Sequence, residues 1–289
     1  PPRSTPKPSS AASDVYKRQE LESSGGIEAP FAVDRFMFYS SRRLYCLIAE
    51  VVSRPGVLAS VTSLIADRGL DIAYCSTRAA RAGDKGVIHL FIDFTDTRIR
   101  PETLAGELEA LKAVKRVEVI RPTVEGFISN GGFPLIIGPV RAVLLDEAAL
   151  KGLLIEFRKR LGTGGEAMLY HLGVEIGRER WRYILRQAEG IGVGEESDRL
   201  LIMTEIFKSM GYGIPEIVER NDKLPYIAVR VWRNIECELA GRVGHPYSHF
   251  IRGLLAGLIG LLYDVDMRAR ETKCIAAGDP YCLFEITAK

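Results

Sequence analysis

The chain has 289 residues, 47% of them hydrophobic and 26% charged, and its 39 basic and 37 acidic side chains leave a formal net charge of +2. These values predict a soluble, globular protein of about two domains, and so even a charge balance argues against direct nucleic-acid or membrane-surface binding. The longest apolar run, "GLLAGLIGLLY" at 253–263, is shorter than the roughly 18 to 20 residues of a bilayer span and reads as a buried helix. Five cysteines in a chain this long suggest reduced thiols or metal ligands in a cytoplasm rather than a disulfide scaffold.

In chain order, residues 1–29 are rich in Pro, Ser and Ala without apolar periodicity. Such a segment cannot bury enough surface to order itself. Within it "SAASDVYKRQ" resembles a translated sequencing adapter, so 1–29 is expected to be a disordered or artefactual tail. "LYCLIAEVV" (44–52) reads as a strand ended by "SRPG", and "VLASVTSLIADRGL" (57–70) as a helix, with Val57, Leu58, Val61, Leu64 and Ile65 at helical spacing. "DIAYCSTRAA" (71–80) is a second strand. "VIHLFIDFT" (87–95) is a third, with Ile88, Leu90, Ile92 and Phe94 forming its apolar face. A helix over 102–111 begins after Pro101, and "VKRVEVI" (114–120) is a fourth strand. The order βαββαβ is a ferredoxin-like unit.

The stretch "RPGVLASVTSLIADRGLDI" (54–72) and the pattern over 44–121 resemble an ACT domain, the small regulatory module that binds amino acids. In that family the turn from strand to helix holds the effector. The physical reason is that a glycine after proline lets backbone N–H groups approach a carboxylate, at a helix end that favours an anion. The resemblance implies effector-binding positions at Ser53, Gly56, Val57 and Leu58. Many amino-acid-binding members carry Asp or Asn where this chain has Ser53, and a hydroxyl is a weaker partner for an ammonium group. Two readings stay open, an amino-acid site and a tight turn in a domain used only for pairing.

A Gly-rich connector over 122–140 separates this unit from the rest. Beyond it, helices are predicted at 146–161 behind an Asp cap, at 164–188, at 197–213 and at 248–263. Gly173 and Gly177, and again Gly253 and Gly257, lie one helical turn apart, which suggests close approach of another backbone or a ligand. "IPEIVER" (214–220) and "LPYIAVRVW" (224–232) alternate like paired strands, and "NIECEL" (234–239) reads as an extension of the second. "VDMRARETKCIA" (265–276) and "PYCLFEITA" (280–288) read as a closing hairpin.

That hairpin brings Cys274 and Cys282 within range of a shared metal. The seven-residue spacing excludes Cys-x-x-Cys redox chemistry. Glu271, at an odd offset from Cys274, faces the other way on an ideal strand and joins only if the strand bulges or twists.

The pattern Glu-x2-Cys-x7-Cys with "GDPYCLFEI", preceded by "FIRGLLAGLIG", resembles the 4-vinyl-reductase-type domain over about 141–289. Relatives of that type include phenol-sensing domains of transcription activators, a protein linked to bacteriochlorophyll synthesis and, more distantly, a trafficking-complex subunit that holds an acyl chain. The resemblance implies an α+β chain overall: a ferredoxin-like ACT domain, then a mixed α/β domain with helices on an antiparallel sheet. The second domain is expected to enclose a small hydrophobic ligand and to form homodimers. In the phenol sensors Glu271, Cys274 and Cys282 would match three zinc ligands, and the fourth, a cysteine, falls at Ser248. Serine is a poor zinc ligand. The adjacent His249 is taken as the fourth ligand, with Cys237 and His245 as alternatives. Structural zinc and a metal-free hairpin with two buried thiols both stay open.

Tyr170, His171, Trp181 and Phe207, with Tyr183 and Met210, supply aromatic, polar and soft groups for a ligand pocket among the helices. No nucleophile elbow, phosphate loop, dinucleotide fingerprint or zincin helix is present in the sequence. The expectation is a cytoplasmic regulatory sensor that binds a small hydrophobic molecule and an amino acid, touching neither nucleic acid nor membrane. The alternative is an enzyme or accessory factor of tetrapyrrole or aromatic metabolism.

Overall fold

The computed structural model describes residues 31–79, 83–221 and 224–289, so the tail expected over 1–29 lies outside the described residues. The described chain divides into two compact units, one ending at Val143 and the other running from Leu144 to Lys289.

The first unit contains β2 (Leu44–Val52), α1 (Val57–Asp67), β3 (Asp71–Arg78), β4 (Lys85–Asp93), α2 (Pro101–Glu109) and β5 (Val114–Ile120). Its strands form an antiparallel sheet in the order β3-β4-β2-β5. Ile88, Leu90 and Ile92, two apart on β4, pack with Val61 and Ile65 of α1 and with Leu104 and Leu108 of α2 in one core. The period-two and period-3.6 patterns therefore meet on the same face of the sheet. On the other face a smaller cluster joins Leu44, Cys46, Phe91 and Ile128. It is formed by two strands absent from the sequence reading, β1 (Phe36–Phe38) and β6 (Phe127–Ser129), which pair antiparallel. β6 lies inside the stretch expected to be only a connector. Further along it, β7 (Ile136–Ile137) pairs with β8 (Val140–Arg141).

The second unit begins with α3 (Glu147–Leu150), a π-helical stretch over Lys151–Glu156, and α4 (Phe157–Leu161). The expected cap is present: Ala149 N–H donates to Asp146 Oδ1 at 2.9 Å. There follow α5 (Thr163–Gly190), α6 (Glu196–Ser209), β9 (Ile214–Asn221), β10 (Tyr226–Trp232), α7 (Ile235–Ala240), α8 (Phe250–Leu262), β11 (Met267–Lys273) and β12 (Cys282–Ala288). The sheet order is β11-β12-β10-β9. The apolar run of α8 is buried on nearly every side, as an all-round apolar helix must be.

The four spaced glycines mark where α5 and α8 meet. A Cβ on Gly173 would overlap the Phe250 carbonyl and come within 2.8 Å of Leu254 N. One on Gly253 would overlap the Tyr170 carbonyl and one on Gly257 that of Val174. The glycines serve direct backbone contact between two helices, and no ligand need be invoked for them.

One element differs from its sequence reading. The segment "NIECEL" does not extend β10. Arg233 takes a φ of +52°, which ends the strand, and Asn234 then caps α7, its Oδ1 accepting from Glu236 N–H at 3.1 Å. Asparagine's preference for helix caps prevailed over the alternating apolar pattern.

Candidate functional site

The turn into α7 decides the composition of the site in the second unit. As a helix, 235–240 points Cys237 inward, where the other ligands of the hairpin lie. Cys237, Glu271, Cys274 and Cys282 are all buried, and their ligand atoms lie within 4.8 Å of one another. Cys237 Sγ is 3.4 Å from Cys274 Sγ, 3.6 Å from Cys282 Sγ and 3.9 Å from a Glu271 oxygen. Thiolates bound tetrahedrally at about 2.3 Å would sit about 3.8 Å apart, so the four groups fit one small divalent ion with little adjustment. Glu271 reaches this side because the β11–β12 register slips between Glu271 and Lys273, the bulge that its odd offset demanded.

The surroundings orient the ligands. Ser248 N–H donates to Glu271 Oε2 at 3.0 Å. Ser248 Oγ accepts from Asn234 Nδ2 at 2.7 Å, which frees its own proton for Cys237 Sγ, 3.0 Å away. Cys274 N–H is held by Asp279 Oδ2 at 2.8 Å in the turn between the strands. Outer hydrogen bonds of this kind fix ligand orientation in metal sites.

Without a cation the cluster cannot be fully ionised. Burial, then the charge on Cys274, pushes the Glu271 carboxyl up to about 8. Hydrogen bonds from Cys237 and from Cys282 hold the Cys274 thiol far below its usual range, and Cys237, which donates one of them, is raised. One thiolate is thus shared by three sulfurs. A divalent cation would displace the remaining protons.

His249 is not brought to this cluster. Its Nε2 lies 3.8 Å from Glu166 Oε1 and its Nδ1 3.2 Å from Arg252 Nη2. The reason is local. Ser248 turns its amide to Glu271, and the amides of His249, Phe250 and Ile251 all donate to the buried Glu236 carboxylate at 2.9, 3.2 and 2.9 Å. The His249 side chain is left facing Arg158 and Glu166. Burial first, then the Arg158 and Arg252 charges, lowers its pKa to about 4. Cys237 therefore stands where the sequence reading had placed His249. Of the alternatives, His245 is exposed and bonds its own neighbour, Pro246 O, at 3.1 Å. Glu236 was missed altogether, and its only sequence signal is a glutamate just inside a short capped helix.

The four expected pocket residues are not gathered in one place. Tyr170 lines an open cleft of about 290 Å³ with Arg252, Arg268, Ala269, Arg270 and Lys289. His171 is exposed. Trp181 and Phe207 are buried in the core, where Phe207 borders a narrow void of about 10 Å³ beside Met203, Leu254 and Leu258.

In the first unit a cleft of about 220 Å³ opens where α1 begins, between Arg54–Val57 with Ser60 on one side and Leu111–Val114 on the other. Gly56 takes a φ of +84° there, a conformation natural to glycine. No side chain caps α1, and no acid stands in its first turn, so its N-terminal positive potential is not offset locally. Gly56 and Val57 line the cleft, whereas Ser53 and Leu58 do not. Ser53 is engaged through its backbone with Asp84 and Gly83, at 2.8 and 2.6 Å, and Leu58 is 40% exposed.

Comparison with known proteins agrees with this division. The family model of the 4-vinyl-reductase domain matches residues 227–288, and that of the ACT domain matches 46–114. The uncharacterized protein MJ0150 of Methanocaldococcus jannaschii is 31% identical over 169 residues, 57% of this chain and 86% of its own. Among solved structures, the phenol-responsive sensory domain of the transcription activator PoxR, with phenol, is similar at 17% identity. Its TM-score is 0.48, over 53% of this chain and 79% of that one. A vinyl-4-reductase family protein from Methanocaldococcus jannaschii is similar at 20% identity and a TM-score of 0.37, over 51% of this chain and 84% of its own.

Proposed function

We propose a regulatory function from one premise: the chain belongs to the 4-vinyl-reductase domain family and carries an ACT domain ahead of that domain. The protein is a small-molecule-responsive regulator. Its ACT unit takes an amino acid at the turn into α1, its second unit takes a small molecule with an apolar body, and it acts as a homodimer in the cytoplasm. The observation that carries this reading is that each unit holds its own ligand-sized cleft, the first at an uncapped helix start behind Gly56. A ligand that prefers one arrangement of the paired chains would shift the population between arrangements. Among the described residues no helix is long and apolar enough to cross a membrane.

We assign structural zinc to Cys237, Glu271, Cys274 and Cys282. Three thiolates and a carboxylate fill a tetrahedral shell, leaving no open position for a reacting water or substrate. Zinc bound there supplies cross-linking rather than Lewis-acid chemistry. It ties α7 to both strands of the closing hairpin, and through Ser248 to the start of α8.

Thermal-shift and native mass spectrometry measurements on the full chain, with the amino acids and with phenol as probes, test the ligand reading. At least one amino acid should raise the melting temperature, and Gly56→Val should abolish that shift while leaving any response to phenol intact. A chain that responds to none of these compounds, and whose subunit count never changes, would refute it.

A further inference from the structure

We propose that the cleft bordered by α5, α8 and the edge strand β11 is an oxyanion site, built for a small organic molecule that carries a carboxylate or phosphate on a compact apolar body. This rests on the reading of the second unit as a ligand-binding one, and it names the class of ligand.

The lining carries four cationic side chains, Arg252, Arg268, Arg270 and Lys289, and no acid. Elsewhere in the same unit arginines meet carboxylates: Arg158 pairs with Glu166 at 2.6 Å, Arg178 with Asp266 at 2.6 Å and Arg230 with Glu216 at 3.1 Å. Arg268 and Arg270 have no such partner among the described residues. Glu285 stands opposite Arg270 in the strand register yet forms no ion pair with it. The two arginines alternate with the buried Met267 and Ala269, so both guanidinium groups leave the strand on one face.

Two buried polar atoms at the cleft also lack partners. Arg252 Nε and Tyr170 Oη are both enclosed without a hydrogen bond. The Arg252 guanidinium lies 5.1 Å from the Tyr170 ring centre, which holds it by cation–π attraction and leaves its Nε–H to be satisfied by something else. Buried groups of this kind call for an explanation. An oxyanion supplies one, because a carboxylate or phosphate accepts from forked guanidinium donors and from a phenol hydroxyl together. Tyr170 carbon atoms and Ala269 offer apolar contact to the remainder of the molecule. A volume of about 290 Å³ lies at the small end of ligand sites, which favours a single-ring compound over a tetrapyrrole or an acyl chain.

Isothermal titration of the full chain with benzoate, phenyl phosphate and phenol at fixed ionic strength tests the proposal. At least one of the two anions should bind about tenfold tighter than phenol, and the double variant Arg268→Gln/Arg270→Gln should lose about tenfold of that affinity. Its melting temperature should match the parent's, since both side chains are exposed. The stronger anion identifies the headgroup. Binding of phenol alone would overturn the oxyanion site and leave the ligand-binding reading standing. Failure of all three probes would count against both. Anion binding that the double variant leaves unchanged would place the anion elsewhere, the start of α1 included, and would also overturn the proposal.

Discussion

Glu236 holds the second unit together at a single residue. Fully enclosed, it accepts three consecutive backbone N–H groups at the start of α8, the donors that a helix N-terminus leaves unpaired. Glu236→Ala should cost about 3 kcal/mol, because it orphans buried donors and leaves a cavity. Glu236→Gln, which keeps an acceptor of the same shape, should cost clearly less, and chemical denaturation of the two variants checks the difference. Next to it, His249 has a folded-state pKa of about 4, well below its ordinary value near 6.5. The unfolded chain therefore binds a proton that the folded chain refuses. This contribution to stability is fully present above about pH 6.5 and is lost as pH falls toward 4. NMR titration should find this imidazole neutral at pH 5. A midpoint near 6.5 would show that the ring is solvated and not packed against Arg158.

The helix pair α5 and α8 gives a test at the scale of elements, with opposite signs on one helix. Gly173→Ala forces a Cβ into the Phe250 carbonyl of α8 and should cost about 3 kcal/mol or more. Gly164→Ala, in the first turn of the same helix with nothing within 4 Å, should be neutral or stabilising by about 0.5 to 1 kcal/mol. Equal effects at the two positions would mean that the helices do not touch along the glycine seam. In the first unit, Gly56→Ala should cost about 1 kcal/mol from its positive φ alone. Because no atom lies within 4 Å of the added methyl, the loss is one of conformation and not of packing.

Elements were legible in the sequence wherever a periodic pattern ran long enough to be distinctive. Ile88, Leu90 and Ile92 announced their face of β4, and Val57, Val61 and Ile65 that of α1. Strands of three residues such as β1 and β6 carry no period to read, and their pairing joins positions about ninety apart in sequence. The site was legible in its hairpin half, where the ligands are local. Glu271 was tied to a bulge that only the register of β11 against β12 could reveal. Cys237 depended on Asn234 ending a strand and starting a helix, a contest between cap and alternation that the sequence leaves balanced. His249 looked the better ligand by chemistry, but its direction follows from the amides that Glu236 gathers, and no sequence spacing records that.

For the whole molecule, the second unit is organised around a buried four-donor cluster whose ligands come from α7, β11, the turn after it and the head of β12. Removing the metal should leave three thiols and a carboxyl competing for protons in an enclosed space, and the melting temperature of the second unit should fall. The loss should be greater for Cys282→Ser than for substitution of the exposed Cys75, which lies in the other unit. The most direct measurement is metal content per chain, by mass spectrometry, of the purified parent, of Cys237→Ser and of His249→Ala. The parent and His249→Ala should each retain about one zinc, and Cys237→Ser should retain almost none. A parent free of metal after expression in zinc-replete medium, or a His249→Ala protein that loses its zinc while Cys237→Ser keeps it, would contradict the assignment.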